Sequence, residues 1–186
     1  MRQFDFLKNV ISVLNKYKID YMLTGSIVSS IQGEPRSTHD IDIIVHINST
    51  KDIKLILNDY KSPDFYLDAE SIDESIKSQS MFNLIDTNNG EKADFWILTN
   101  SDFDKSRFER KILQKIENFG LYISTPEDTI LAKLLWSKNS GGSKKQFIDA
   151  LRIYEVQKDI LDINYIELWA KKLDVTEVWQ EIMKKE

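Results

Sequence analysis

The chain has 186 residues and a mass of 21.8 kDa, and its 41% apolar and 11% aromatic content suits one globular unit and excludes wholesale disorder. With 25 basic against 30 acidic residues, the net charge is −5 and the pI near 5.2, which argues against non-specific nucleic-acid binding by the whole surface. There is no cysteine, and His39 and His46 are the only histidines, so disulfide scaffolds, cysteine nucleophiles and cysteine- or histidine-rich metal sites are excluded.

Along the chain, Phe4, Leu7, Val10, Ile11 and Leu14 recur at helical spacing and predict an amphipathic helix over 3–18. Asp20–Thr24 reads as a short strand that runs into Gly25-Ser26. A helix follows to about Gln32 and is broken by Gly33 and Pro35. The β-branched run Ile41–Ile47 is the clearest strand. Ile53, Ile56 and Leu57 predict a helix over 50–60, and a short helix is expected over 71–79. Strands 81–86 and 92–98 are joined by Thr87-Asn88-Asn89-Gly90, whose residues tolerate positive φ and suit a hairpin. A second hairpin is expected over 111–123, turning around Asn118-Phe119-Gly120.

From Thr125 the pattern turns helical. Thr125-Pro126-Glu127-Asp128 places a capping Thr before a Pro at the first helical position. Helices are expected over 126–138 and 143–157, linked by Ser140-Gly141-Gly142-Ser143. Two more are expected over 163–184, with Asp174 and Glu177 as a second cap signal. The expected architecture is α/β (α+β): a small mixed β-sheet with packed helices over residues 1–124, then a helical region over 125–186 packed on it as one globule. The four tryptophans sit where core packing is expected. No stretch reaches the roughly 18–20 apolar residues of a membrane span. The first eight residues lack the apolar run of a signal peptide. A soluble, cytoplasmic protein with no membrane association is the expectation.

The chemistry concentrates around Gly25-Ser26 and, thirteen residues later, Asp40-Ile41-Asp42. Residues two apart on a strand face the same way, so Asp40 and Asp42 project together. Paired carboxylates repel each other, and a hard cation such as Mg²⁺ or Mn²⁺ removes the repulsion. Taken alone, Asp-x-Asp equally describes a solvated strand edge. Gly25-Ser26 lies at a strand-to-helix junction, where free N–H groups favour an anion such as phosphate, although an ordinary turn has the same composition. Asp94, inside the apolar run Ala93–Leu98, needs a partner, either a shared metal or a nearby Lys or Arg.

Together these residues resemble the nucleotidyltransferase-fold superfamily, which includes DNA polymerase beta. Gly33-Glu34-Pro35-Arg36-Ser37-Thr38-His39-Asp40-Ile41-Asp42 is similar to a run in small bacterial nucleotidyltransferase-like proteins, including AbiEii-type toxins. Thr125–Leu134 and Lys144–Ala150 are similar to two helices that follow in those proteins. The resemblance spans about residues 20–155.

That resemblance implies transfer of a nucleoside monophosphate from an NTP to an acceptor, with release of pyrophosphate. Gly25 and Ser26 would hold phosphates, and Asp40 and Asp42 would ligate Mg²⁺ or Mn²⁺. Asp94 would complete the metal site or act as base. Lys133 would reach the nucleotide phosphates, with Asp149 holding that lysine or lying at the site. Arg36 and Thr38 precede the metal strand, and Arg36 suits either a phosphate or a carboxylate. Lys133 also fits a snorkelling surface lysine, and Asp149 also fits pairing with Lys145 or Arg152. The implied partners are the NTP and an acceptor that is a small molecule, tRNA or protein. Two other readings are a non-catalytic nucleotide- or partner-binding module, and the toxin of a toxin–antitoxin pair that modifies tRNA. For the latter, Lys138, Lys144 and Lys145 would form a basic rim.

Overall fold

The computed structural model describes residues 2–47 and 50–185. Helix α1 (Arg2–Lys16) leads to β1 (Asp20–Thr24), and α2 (Gly25–Gln32) starts at the next residue. An extended loop then reaches β2 (Asp40–His46), followed by α3 (Thr50–Asp59), β3 (Phe65–Tyr66) and α4 (Ala69–Ser78). The side chain of Ile53 lies outside the described residues. A hairpin of β4 (Met81–Asp86) and β5 (Lys92–Ile97) precedes α5 (Asp102–Glu109) and a second hairpin, β6 (Ile112–Ile116) and β7 (Phe119–Ile123). The chain finishes with α6 (Pro126–Asn139), α7 (Lys144–Gln157), α8 (Ile163–Lys172) and α9 (Thr176–Met183).

Among the described residues the strands form one mixed sheet in the order β3-β4-β5-β2-β1-β7-β6. Central β2 runs antiparallel to β1 and parallel to β5. Strand periodicity then divides the side chains between two faces. Leu23, Ile41, Ile43, Val45, Phe82, Leu84 and Phe95 are buried with Leu7, Val10, Ile11 and Leu14 of α1 and with Ile56 and Ile72. On the other face, Met22 and Ile44 pack against Phe108 of α5. The later helices gather a separate cluster around Ile130, Leu134, Ile153, Ile166, Trp169 and Trp179, joined by Phe103. No described helix is long and apolar enough to cross a membrane.

Local chemistry explains several helix starts. The Thr125 hydroxyl accepts from the Asp128 N–H at 3.2 Å, and Pro126 occupies the first turn of α6. Asp68 caps α4 and Asp162 caps α8 in the same way, at 2.7 and 3.0 Å.

Four features differ from the sequence reading. Strand β3 is too short to show alternation. Helix α5 was not anticipated, because its two buried residues face different clusters, Phe103 one and Phe108 the other, and so leave no single apolar stripe. In the second hairpin, Ile116 pairs with Phe119, so the turn is Glu117-Asn118 with Glu117 at φ 54°, and Gly120 lies within β7. Finally, Val175 occupies the N-cap position of α9 with no side-chain cap bond. Asp174 instead adopts φ 55° at the end of α8, and its carboxylate pairs with Lys138 at 2.6 Å.

The rings of Phe82 and Phe95 stack with centroids 5.0 Å apart inside the α1-side core. Replacing Phe82 by Ala should lower unfolding free energy by about 3–5 kcal/mol, read from denaturant titration, through lost burial and the cavity left behind.

Candidate active site

Three strands place the acidic residues. Thr24, the last residue of β1, pairs with Asp42 of β2, which pairs with Asp94 of β5. These positions form one row across the sheet centre, and Asp40 opposite Lys92 forms the next row on the same face, two positions along. Asp40 is exposed, Asp42 partly buried and Asp94 buried. The structure therefore brings Asp40, Asp42 and Asp94 to one face of adjoining strands, although among the described residues no three acidic or histidine side chains are gathered into a ready metal cage. The Lys92 ammonium lies 3.3 Å from Asp40 and 3.0 Å from Asp94. Asn83 also donates to Asp94. Asp42 forms no ion pair among the described residues, and accepts at 3.2 Å from the indole Nε1 of Trp96.

Gly25 turns the chain from β1 straight into α2. Its φ of 70° is in the left-handed region, and a Cβ added there would stand 2.6 Å from the Asp42 Cγ. A glycine is thus needed twice over, for the backbone bend and for the carboxylate packed against it. The start of α2, the positive end of the helix, therefore lies beside Asp42 through Gly25.

A second set of residues surrounds Ser26. The Arg36 guanidinium holds Asp149 in a fork, Nε to Oδ1 at 2.8 Å and Nη2 to Oδ2 at 2.7 Å. The same Nη2 donates to the Ser26 hydroxyl at 2.8 Å. Lys133 donates to Asp149 Oδ2 at 2.9 Å. Arg36 therefore pins its loop to a carboxylate. Lys133 is buried rather than snorkelling, and Asp149 pairs with neither Lys145 nor Arg152; Arg152 instead joins Glu34 and Glu155.

Part of this set opens onto a cleft of about 300 Å³ between the sheet and helices α5, α6 and α7, whereas Asp94, Arg36 and Asp149 lie outside its lining. Gly25, Ser26, Asp40, Asp42, Lys133 and Lys145 line it. Thr38 does not: its carbonyl accepts from Gln3 at 2.9 Å, and it lines a separate groove beside α1 together with the exposed His39. His46 packs edge-on against Phe108 outside the cleft lining. Core packing holds for Trp169 and Trp179, holds in part for Trp96, which packs against the Met22, Ile44 and Phe108 cluster, and fails for Trp136. Trp96 and Trp136 face the cleft, and Trp136 is 51% exposed. The pattern misled because apolar residues also recur at helical spacing along a cleft wall. Thr99, Asp104 and Arg107, contributed by the loop before α5 and by α5 itself, were likewise missed. The Ser101-x-x-Asp104 cap, with Ser101 accepting from the Asp104 N–H at 3.1 Å, was the available signal for that helix.

Burial raises the Asp42 carboxyl above its ordinary value, and the charges of Asp94 and Asp40 add to this, while Trp96 and Lys133 oppose it. Burial likewise lowers Lys133. Burial pushes Asp149 up, but the hydrogen bonds from Arg36 and Lys133 outweigh it and hold the group below the usual carboxylate range.

Two outcomes follow. The folded chain holds the Asp42 proton more tightly than the unfolded chain does, so stability is lost as pH rises through the carboxylate range. Asp42→Asn should raise Tm at neutral pH by about 2–4 °C, with the gain fading as pH falls into that range, read by calorimetry. Asp149→Ala strands Arg36 and Lys133 together and should cost about 3–5 kcal/mol at pH 7.

No family profile matches the chain, and no curated protein matches it by sequence. Solved structures match it by shape. An antigenic nucleotidyltransferase-like protein from Paracoccidioides brasiliensis superposes with a TM-score of 0.55 at 15% identity, covering 98% of this chain and 94% of its own. The lincosamide antibiotic adenylyltransferase LnuA, with lincomycin bound, reaches 0.53 at 14% identity over 81% of this chain and 95% of its own. The antibiotic-resistance factor ANT(2'')-Ia reaches 0.53 at 8% identity, covering 97% of this chain and 92% of its own. The mixed sheet, with its glycine turn opposite the paired aspartates of the central strand, is thus the nucleotidyltransferase fold.

Proposed function

We propose that the chain is a divalent-metal-dependent nucleotidyltransferase that moves a nucleoside monophosphate from an NTP to an acceptor hydroxyl and releases pyrophosphate. The observation that carries this reading is the row Thr24, Asp42, Asp94, with the N-terminus of α2 beside it. The fold shared with an adenylyltransferase supports it.

The residues suit a hard divalent cation. Asp40, Asp42 and Asp94 offer only carboxylate oxygens. Asp42 is partly buried beside like charges and has no ion-pair partner among the described residues. Lys92 already bridges Asp40 and Asp94 with a single positive charge where a doubly charged ion would serve better. Asp40, Asp42 and Asp94 would hold such a cation, which would supply charge neutralisation for the triphosphate and for the charge developing on the leaving oxygen.

The chain's own groups do the rest. Gly25 and Ser26 direct backbone N–H groups at the terminal phosphates. The Ser26 hydroxyl accepts from Arg36, which leaves its own proton free to donate. Lys133, tethered to Asp149, adds a positive charge at the cleft wall. The acceptor oxygen forms a bond to the α-phosphorus, the bond to the β-phosphate oxygen breaks, and Asp94 takes the acceptor's proton. Removing water from this cleft strengthens each of these interactions.

Incubation with labelled NTP, Mg²⁺ and separate pools of small hydroxyl compounds, tRNA and protein should label one pool. Asp42→Asn should reduce labelling about a thousandfold or more, and a chelator should abolish it. Equal labelling by the variant and the parent chain would defeat the reading.

A further inference from the structure

The wall of the cleft beyond the phosphate end carries two indoles and an orphaned amide. Helices α6 and α7 are joined by residues 140–143, and the Lys133–Asp149 contact ties them together. Trp136 lies three residues after Lys133 on α6, and Gln146 three residues before Asp149 on α7. Residues at that spacing share a helix face. In consecutive helices folded back on each other, both are displaced one turn in the same direction, toward the connecting loop. They extend the wall that carries the charged network, and both line the cleft.

Trp96 stands across from them on β5, its ring held by the bond from Nε1 to Asp42 at 3.2 Å. The Trp96 and Trp136 rings meet edge to face, with centroids 5.8 Å apart and planes at 77°. That arrangement leaves flat indole surface open, and Trp136 is 51% exposed although large and apolar. The Gln146 Oε1 atom is buried and has no hydrogen-bond partner among the described residues. A buried acceptor without a partner carries a desolvation cost that a donor from a ligand would remove.

We propose that Trp136, Trp96 and Gln146 form the nucleobase subsite of this cleft: Trp136 stacks on the base, and the Gln146 amide oxygen accepts from an exocyclic amino group. Adenine, cytosine and guanine carry such a group; uracil lacks one. This assignment rests on the nucleotidyl-transfer reading and adds base selection to it. The phosphate end supplies affinity shared by every NTP, and the indoles and the amide supply the part that depends on the base.

The test measures binding by titration calorimetry, with Mg²⁺, for ATP, CTP, GTP, UTP and inorganic tripolyphosphate. The parent chain should bind the three amino-bearing nucleotides severalfold more tightly than UTP, and tripolyphosphate more weakly than any of them. Trp136→Ala should weaken every NTP by about tenfold or more and leave tripolyphosphate unchanged. Trp136→Phe should restore most of that loss, which a misfolded variant would not do. Gln146→Leu should weaken ATP, CTP and GTP severalfold and leave UTP unchanged. Equal loss for tripolyphosphate and NTPs in Trp136→Ala, or no loss in either, would overturn the subsite while leaving the transfer reading intact. UTP binding as tight as ATP binding in the parent chain would also overturn it. Failure of the parent chain to bind tripolyphosphate and every NTP would overturn both readings.

Discussion

Asp42 is a carboxylate taken partly out of water, flanked by two others and given one indole N–H in return. That arrangement is unfavourable for the chain alone, and several surrounding features follow from it. Gly25 must lack a side chain because the Asp42 carboxylate occupies the space one would fill. Lys92 reaches over to Asp40 and Asp94 and tempers the repulsion from the side. A site that holds negative charge in place before any ligand arrives stores its cost in the folded chain, and under the proposed function a bound cation would recover it. Preorganisation of this kind is the usual source of electrostatic catalysis.

The second constraint joins distant parts of the chain. Arg36, in the loop before β2, Ser26 at the start of α2, Lys133 on α6 and Asp149 on α7 share one hydrogen-bonded network. The central member is a buried carboxylate contacted by two cations, so no single partner can be removed without stranding charge. The network holds the Gly25-Ser26 turn against the helical half. Each cluster has its own hydrophobic core, and this polar seam sets where the helices stand over the sheet. A cleft wall built on rigid helices positions its side chains more closely than a wall of loops.

Much of this was legible because the signals are local. The Asp40-Ile41-Asp42 alternation requires shared facing wherever the strand lies in the sheet. Gly25 after a strand and Thr125-Pro126 before a helix are short-range chemistry. The elements missed were those whose stability is not local. Helix α5 divides Phe103 and Phe108 between two clusters, and β3 is two residues held by its neighbour. Trp136 and Trp169 both sit among apolar neighbours in the sequence, yet one is half exposed in the cleft and the other is buried. Periodicity reports that a face is apolar; it does not report whether protein or a ligand covers it.

From the residues alone came the mixed α/β order followed by helices, the paired aspartates on one strand face, the glycine turn and the family resemblance. Each depends on neighbours within a few positions, where backbone geometry leaves little choice. Only the tertiary structure decided what each charge would meet. It gave Arg36 a carboxylate partner, Asp149, put Lys92 between Asp40 and Asp94, and sent Thr38 to another groove. Partners such as Arg36 and Asp149, 113 residues apart, are chosen by the packing of whole elements, and no window along the chain contains that information.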